Sequence, residues 1–331
     1  MTNITFNDFV DDKRVVIEPI ETGRTLPVLV QALGSDVELE EWVENNKKSI
    51  DDLLFQYGGL LFRGFSIENE RDFHHFLAQT GNELLQYNEP TSPRTNIQDK
   101  VYTSTEHPND QEILLHNEMS YSSSWPRKIW FCSVQVAEVG GETPVADMRN
   151  VFNRIPEDIR KRFIEKGWML IRNFGNGFGL SLQQVVGSTQ KEDVEKYCAS
   201  NDLEFEWIND NCLRTRQVRK AVRQHPITDE NLWFNHISFY HESSLQPQNR
   251  KMFLDWFGSE GMPYNTFYGD GTPIEDEVIE IIRRAYEQEK VVFPWQKGDV
   301  LMLDNMLVAH GRNPFKGERK TLVAMGELFK G

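Results

Sequence analysis

Strand-length apolar runs lie towards both ends of the chain, with helical periodicity between them. Arg14–Pro19 and Leu26–Val30 are β-rich, and Gly59–Phe65 reads as a buried strand. Lys128–Val136, the alternating run Lys297–Asn305, and Arg319–Met325 read the same way. Apolar positions near a 3.6-residue period predict a helix over Asp36–Tyr57, stopped by Gly58-Gly59, and a second over Asn69–Gln79. Ile155–Lys166 is a helix opened by Pro156, and Thr189 to Glu192 reads as a capping box ahead of another. A further helix starts at Thr272-Pro273-Ile274-Glu275 and runs to about Gln288, while Trp233–His241 is strand-like. There are no repeats, low-complexity tracts or flexible linkers. The pattern predicts one domain over 1–331, mainly β with helical insertions, built as a β-sandwich or jelly roll.

From Asn88 to Gln111 the chain is polar and aperiodic, as a lid would be, and it leads into Leu114–Tyr121. There His116 and Glu118 stand two residues apart in an extended segment, so their side chains leave the same face. An imidazole and a carboxylate on one point supply two of the three ligands in the 2-His-1-carboxylate face of non-haem Fe(II) oxygenases. In isolation the pair is weak evidence and reads sooner as a satisfied histidine beside a surface carboxylate. The metal reading needs a third ligand from far along the chain, and His225, His236, His241 and His310 are the candidates.

Composition narrows the partners. Lys+Arg 36 against Asp+Glu 51 gives a net charge of −15, which disfavours nucleic acid and anionic membrane. No apolar run reaches the roughly 18 residues of a membrane span. The three cysteines contain no CxxC and read as reduced thiols, and residues 1–8 carry no secretory signature; both predict a cytoplasmic protein.

Four pieces stand in a set order: His116-x-Glu118, Gly140-Gly-Glu-Thr143, Asp304-Asn305 leading to His310, and Arg319. This order resembles the Fe(II)/2-oxoglutarate dioxygenases of the taurine dioxygenase and clavaminate synthase group, especially the amino-acid hydroxylases of nonribosomal peptide pathways. The likeness spans roughly 58–325. It implies a double-stranded β-helix (clavaminate synthase-like jelly roll) with an elaboration over 1–57 and a substrate-covering insert near 145–230. It further implies His116, Glu118 and His310 as catalytic iron ligands. His310 is favoured among the four histidines because it follows a buried-looking strand and precedes Arg319 by nine residues.

The same resemblance assigns Arg319 and Thr143 to the distal carboxylate of 2-oxoglutarate, with Asp304 and Asn305 supporting the ligands from behind. Read alone, Thr143 is a turn residue, and sequence does not fix whether Arg319 or its neighbour Lys320 points inward. Three facial ligands leave positions for 2-oxoglutarate and O2, whose reaction yields succinate, CO2 and an oxidant for a substrate C–H bond. Glu118 stands where related halogenases have Gly or Ala, which argues against halogenation. Val323 stands where taurine-type members have a substrate-binding arginine. Arg214 and Arg216, alternating in the one basic stretch, read either as part of a solvated strand and turn or as a replacement clamp for a carboxylate. The reading is a hydroxylase of an amino acid, free or on a carrier protein, in specialised-metabolite or antibiotic biosynthesis. Desaturation or cyclisation on the same iron, and a non-catalytic jelly-roll binding protein, are the alternatives.

Overall fold

The structure is a computed structural model, and it describes residues 12–331 apart from 22, 35–36, 81–82, 87–95, 99 and 105–106. The chain start, Asp36 and much of the polar stretch 88–111 therefore lie outside the described residues.

Gly59–Arg63, Val300–Asp304, Ser124–Gln135 and Lys320–Lys330 lie side by side in the middle of an eight-stranded sheet. Val15–Glu21 and Arg24–Ala32 extend one edge, and Val101–Thr103 and Asn96–Gln98 the other. Arg24–Ala32 runs parallel to Gly59–Arg63, and the other neighbours are antiparallel. Period-two alternation sends Leu61, Phe131, Leu301, Leu303, Val323 and Met325 to one face. Their neighbours Leu60, Phe62, Trp130, Val300, Met302 and Leu322 go to the other. Helices Leu39–Asn45, Lys47–Tyr57 and Glu70–Gln79 cover that second face with Trp42, Leu53, Phe73 and Phe76. Each buried large apolar side chain contributes about 1.5–3 kcal/mol by leaving water. A one-residue slip in a central strand would forfeit several at once, so register is firmly held.

The first face meets a three-stranded sheet ordered Ile113–His116, Val308–Arg312, Val145–Asp147. Leu115, Val145, Ala146, Val308 and Ala309 join its core. A four-stranded sheet ordered Glu204–Trp207, Leu213–Arg219, Trp168–Phe174, Tyr264–Tyr268 packs beyond it. The short helix Ile237–Tyr240 touches both Trp168–Phe174 and Ile113–His116. The protein is thus a mixed fold of helices and several sheets, and among the described residues the strands do not close into a barrel. No helix among them is long and apolar enough to cross a membrane.

Three local expectations are corrected, and one element is added. The helix over 36–57 is two helices, because Asn46 leaves helical geometry and its amide donates to the Trp42 carbonyl at 2.8 Å. The run Trp233–His241 is not one strand: Asn231–Trp233 is a strand, but the Asn235 side chain accepts from the Ile237 N–H and opens a helical turn. An apolar run by itself does not separate these outcomes. Thr189 caps nothing; the helix Lys191–Ser200 begins after Gln190, whose N–H is taken by Ser188 Oγ. Finally, Met148–Arg154 is an additional helix, capped by Asp147.

Candidate metal centre

His116 closes the strand Ile113–His116, and His310 sits in the middle of Val308–Arg312, paired directly opposite it. Their ring centroids are 4.6 Å apart. Glu118 lies just past the strand, with its carboxylate 3.9 Å from His310 Nε2. One ligand atom from each of the three falls within 4.8 Å of the others, the only such acid–histidine–cysteine grouping among the described residues. Close approach of the strands depends on Gly311: a Cβ there would stand 2.6 Å from the Ile113 carbonyl oxygen.

Hydrogen bonds set the protons. His116 Nδ1 is 2.8 Å from the Leu114 carbonyl, which only accepts, so Nδ1 carries the proton and Nε2 offers its lone pair. The main chain at Glu118 is clamped by Asn305, whose Oδ1 accepts from the Glu118 N–H at 2.7 Å. Its amide donates to the Glu118 and Pro126 carbonyls, and Asn117 Nδ2 donates to the Asn305 carbonyl. Asp304 Oδ1 accepts from the Met306 and Leu307 N–H groups, shaping the turn that leads to His310.

The rival histidines are accounted for. His225 is fully buried; its Nδ1 accepts from the Ile227 and Thr228 N–H groups, so Nε2 donates to Asp304 Oδ2 at 3.1 Å. His241 is turned to Ser243. His236 comes nearer, its ring centroid 5.5 Å from that of His116 and its Nδ1 2.6 Å from Ser120 Oγ. Burial, with His116 alongside, holds its pKa well below the usual imidazole value, so it is neutral at physiological pH.

A pocket runs from the imidazoles to Arg319, lined by Ser104, Ile113, Phe131, Thr143 and Val323 among others. Arg319 lies across the Gly140-Gly141 turn, its Nε donating to the Gly141 carbonyl at 2.8 Å and Nη1 to Ser104 Oγ at 3.2 Å. Gly141 has φ +76°, and a Cβ on it would be 2.9 Å from Arg319 Cδ, so only glycine admits the guanidinium there. Burial, with Arg312 nearby, pulls the Arg319 pKa down to about 10 against the opposing pull of Glu142, which leaves it cationic. Lys320 is paired with Glu70 and does not line this pocket. Thr143 Oγ1 accepts from Trp295 Nε1 at 3.2 Å, which keeps the hydroxyl proton for another acceptor.

Arg214 and Arg216 do share a face, but it is the outer face of the four-stranded sheet. Leu213, Thr215 and Gln217 turn inward. Both arginines pair with Glu260, at 3.3 and 3.0 Å, and neither lines the pocket. Two cations on that sheet turn inward: Arg219, which pairs with Asp202, and Arg172, which sequence reasoning passed over in the apolar run Trp168–Phe174. Ser104 and Trp295 were also missed, since nothing in their neighbours marks them.

The donor set of two imidazoles and a carboxylate on one side, with an open pocket ending in a cation, suits Fe(II) and an anionic chelating co-substrate. The family model described as taurine catabolism dioxygenase TauD, TfdA family, matches residues 22–325. The chain is 40% identical over 309 residues to the dapdiamide synthesis protein DdaC of Enterobacter agglomerans, covering 93% of each. It is 27% identical over 322 residues to a clavaminate synthase-like protein of Arabidopsis thaliana, covering 94% of this chain and 92% of that one. Among solved structures, PvcB of Pseudomonas aeruginosa aligns with a TM-score of 0.57 at 14% identity, over 96% of this chain and 92% of that one.

Proposed function

The chain belongs to the TauD/TfdA family of dioxygenases, and from that premise we propose that it oxidises an amino acid or amino-acid-derived substrate at an unactivated C–H bond. It is an Fe(II)/2-oxoglutarate-dependent oxygenase acting on an organic substrate. The observation that carries the reading is the convergence of His116, Glu118 and His310, whose two imidazoles line the same pocket as Arg319. When bound, the iron with 2-oxoglutarate and O2 supplies succinate, CO2 and the oxidant for the substrate.

The chain's own residues divide the remaining work. His116 and His310 would present imidazole nitrogens and Glu118 a carboxylate oxygen to the metal. Arg319 would take the distal carboxylate of 2-oxoglutarate, and Thr143 would donate its hydroxyl proton to the same group. Phe131 and Val323 make the wall between them apolar. That excludes water and strengthens the charge pairing. Asn305 and Asp304 hold the two ligand segments in place.

We read the eight- and three-stranded sheets, which meet where the Phe131 and His310 rings lie 4.9 Å apart, as faces of a distorted double-stranded β-helix. The whole chain is taken as one domain, with about 145–230 covering the substrate and 1–57 as an elaboration that extends the large sheet. A relative named for dapdiamide synthesis supports a role in specialised-metabolite biosynthesis. Three cysteines without a disulfide support work in the cytoplasm. Glu118 in the ligand position supports oxygenation over halogenation.

The test is a mass-spectrometric screen of amino acids, free and carrier-loaded, with Fe(II) and 2-oxoglutarate. A gain of one oxygen with equimolar succinate is expected, and loss of two hydrogens would mark desaturation instead. Succinate formation that is indifferent to iron would defeat the reading.

A further inference from the structure

Arg172 has a charge with no described counterpart. It is 6% exposed, and its Nε and Nη2 are buried with no hydrogen-bond partner. No other guanidinium among the described residues has two nitrogens in that state. No carboxylate among the described residues pairs with it, in a protein whose net charge is −15 and where Arg214, Arg216 and Arg250 all find acids. A buried unpaired cation is expensive and persists where something else repays it.

Its surroundings hold the plane and leave the edge. The guanidinium carbon lies 4.9 Å from the Phe174 ring centre and 5.3 Å from that of Tyr264. Aromatic faces take the flat side of a guanidinium, while its N–H donors point outward in a fork suited to a carboxylate. Arg172 stands between Thr215 and Tyr264 on the inward face of the four-stranded sheet. From Tyr264 the rings continue towards the metal site: Tyr264 stacks on Tyr240 at 5.0 Å, Tyr240 on His236 at 5.1 Å, and His236 lies 5.5 Å from His116. Tyr121 meets His236 edge-on at 5.0 Å from the other side.

We propose that Arg172 is the anchor for a free carboxylate of the substrate, bound across the aromatic wall from His116 and away from the Arg319 end of the pocket. This rests on the oxygenase reading and deepens it. A planar fork between two rings pairs two oxygens side by side, so the substrate class is an acid rather than an amide or an ester at that position. It also fills the role that Val323 cannot fill and that Arg214 and Arg216, facing outward, do not. An amino acid joined to a carrier through its only carboxyl would lack the recognised group.

The experiment keeps Fe(II) and 2-oxoglutarate saturating under anaerobic conditions, so that the Arg319 end is already filled. Thermal unfolding is followed with N-acetyl-L-alanine and with N-acetyl-L-alaninamide at matched ionic strength. The acid is expected to raise Tm by about 2–4 °C once tenfold above its dissociation constant, and the amide to have no effect. Arg172→Met should abolish the response, Arg172→Lys should retain a weaker one, and Arg214→Ala should retain it in full. Equal responses to acid and amide, no response to either, or an acid response that survives Arg172→Met would each overturn the proposal. The wild-type comparison decides even if the variants do not fold. Failure of the oxygenase reading would show separately, as no iron-dependent rise in Tm with 2-oxoglutarate itself.

Discussion

His310 pairs directly opposite His116 across two antiparallel strands, although 193 residues separate them in the chain. The strand pairing brings the two imidazoles together. His310→Ala or His116→Ala should therefore leave the thermal transition nearly intact while removing measurable Fe(II) binding and succinate formation. Calorimetric Fe(II) titration of each variant checks this. Full activity in His310→Ala would return the third-ligand role to His236, the nearest remaining imidazole.

Asn305 holds Glu118 through its backbone alone, with an acceptor to the N–H and a donor to the carbonyl. Asn305→Ala leaves buried polar groups unpaired, which costs about 1–3 kcal/mol. Displacing the supports of a ligand typically weakens metal binding about 10–100-fold. Both losses should appear together, in denaturant unfolding and in iron titration. Unchanged iron affinity in a destabilised variant would reduce Asn305 to a packing residue.

Arg319 lines the pocket, as Arg312 does, and Lys320 does not. Removing the charged partner of a buried carboxylate costs roughly 2–5 kcal/mol, so Arg319→Ala should raise the 2-oxoglutarate requirement more than tenfold. Lys320→Ala should leave it unaltered, and Thr143→Val should cost about 0.5–1.5 kcal/mol. The dependence of succinate formation on 2-oxoglutarate separates the three.

These assignments show what the sequence made legible. The His-x-Glu spacing, the alternation of Lys297–Asn305 and the Gly-Gly-Glu-Thr turn each carry a local physical requirement, and each was readable. That Arg319 lines the pocket while Lys320 pairs with Glu70 depends on side-chain direction, which no pattern in a loop provides. Arg214 and Arg216 were correctly placed on one face, but which face of a strand turns inward depends on the neighbouring sheet. Arg172 was hidden for the opposite reason: a single arginine among Trp, Met, Leu, Ile and Phe looks like an interruption. Trp233–His241 misled because apolar content alone does not choose between extended chain and a helical turn.

Arg214 and Arg216 should prove dispensable for turnover. Their partners, Glu260 and Glu206, are more than half exposed, and such pairs contribute about 0–1 kcal/mol. Alanine at either position should change Tm slightly and substrate KM not at all. A KM raised tenfold in either variant would bring the outer face of that sheet back into substrate recognition.

Glu242 ties the helix Pro247–Phe257 to the four-stranded sheet through Arg250, Ser259 and Asn265. Burial alone would raise its pKa, but hydrogen bonds from Ser259, Arg250 and Asn265 outweigh that and hold it below the ordinary 4.5. A depressed carboxylate stabilises the fold above its unfolded value, and the contribution is lost as pH falls through the folded one. Glu242→Gln should therefore lower stability at pH 7 by about 1.5–3 kcal/mol. Unfolding curves for the two proteins should converge below about pH 4.5, and a constant gap would remove the carboxylate's charge from the account.

The strand Val308–Arg312 is gripped from both sides, with His310 matched to His116 on one flank and to Val145 on the other. Because alternate residues face opposite ways, one residue gained or lost anywhere in 139–147 or 306–312 would turn a ligand or its neighbour away from the pocket. The exposed, glycine-containing stretch 175–190 has no such double constraint. Length variation among natural or engineered versions of this enzyme should therefore collect there and be purged around His310, whatever substrate each version takes.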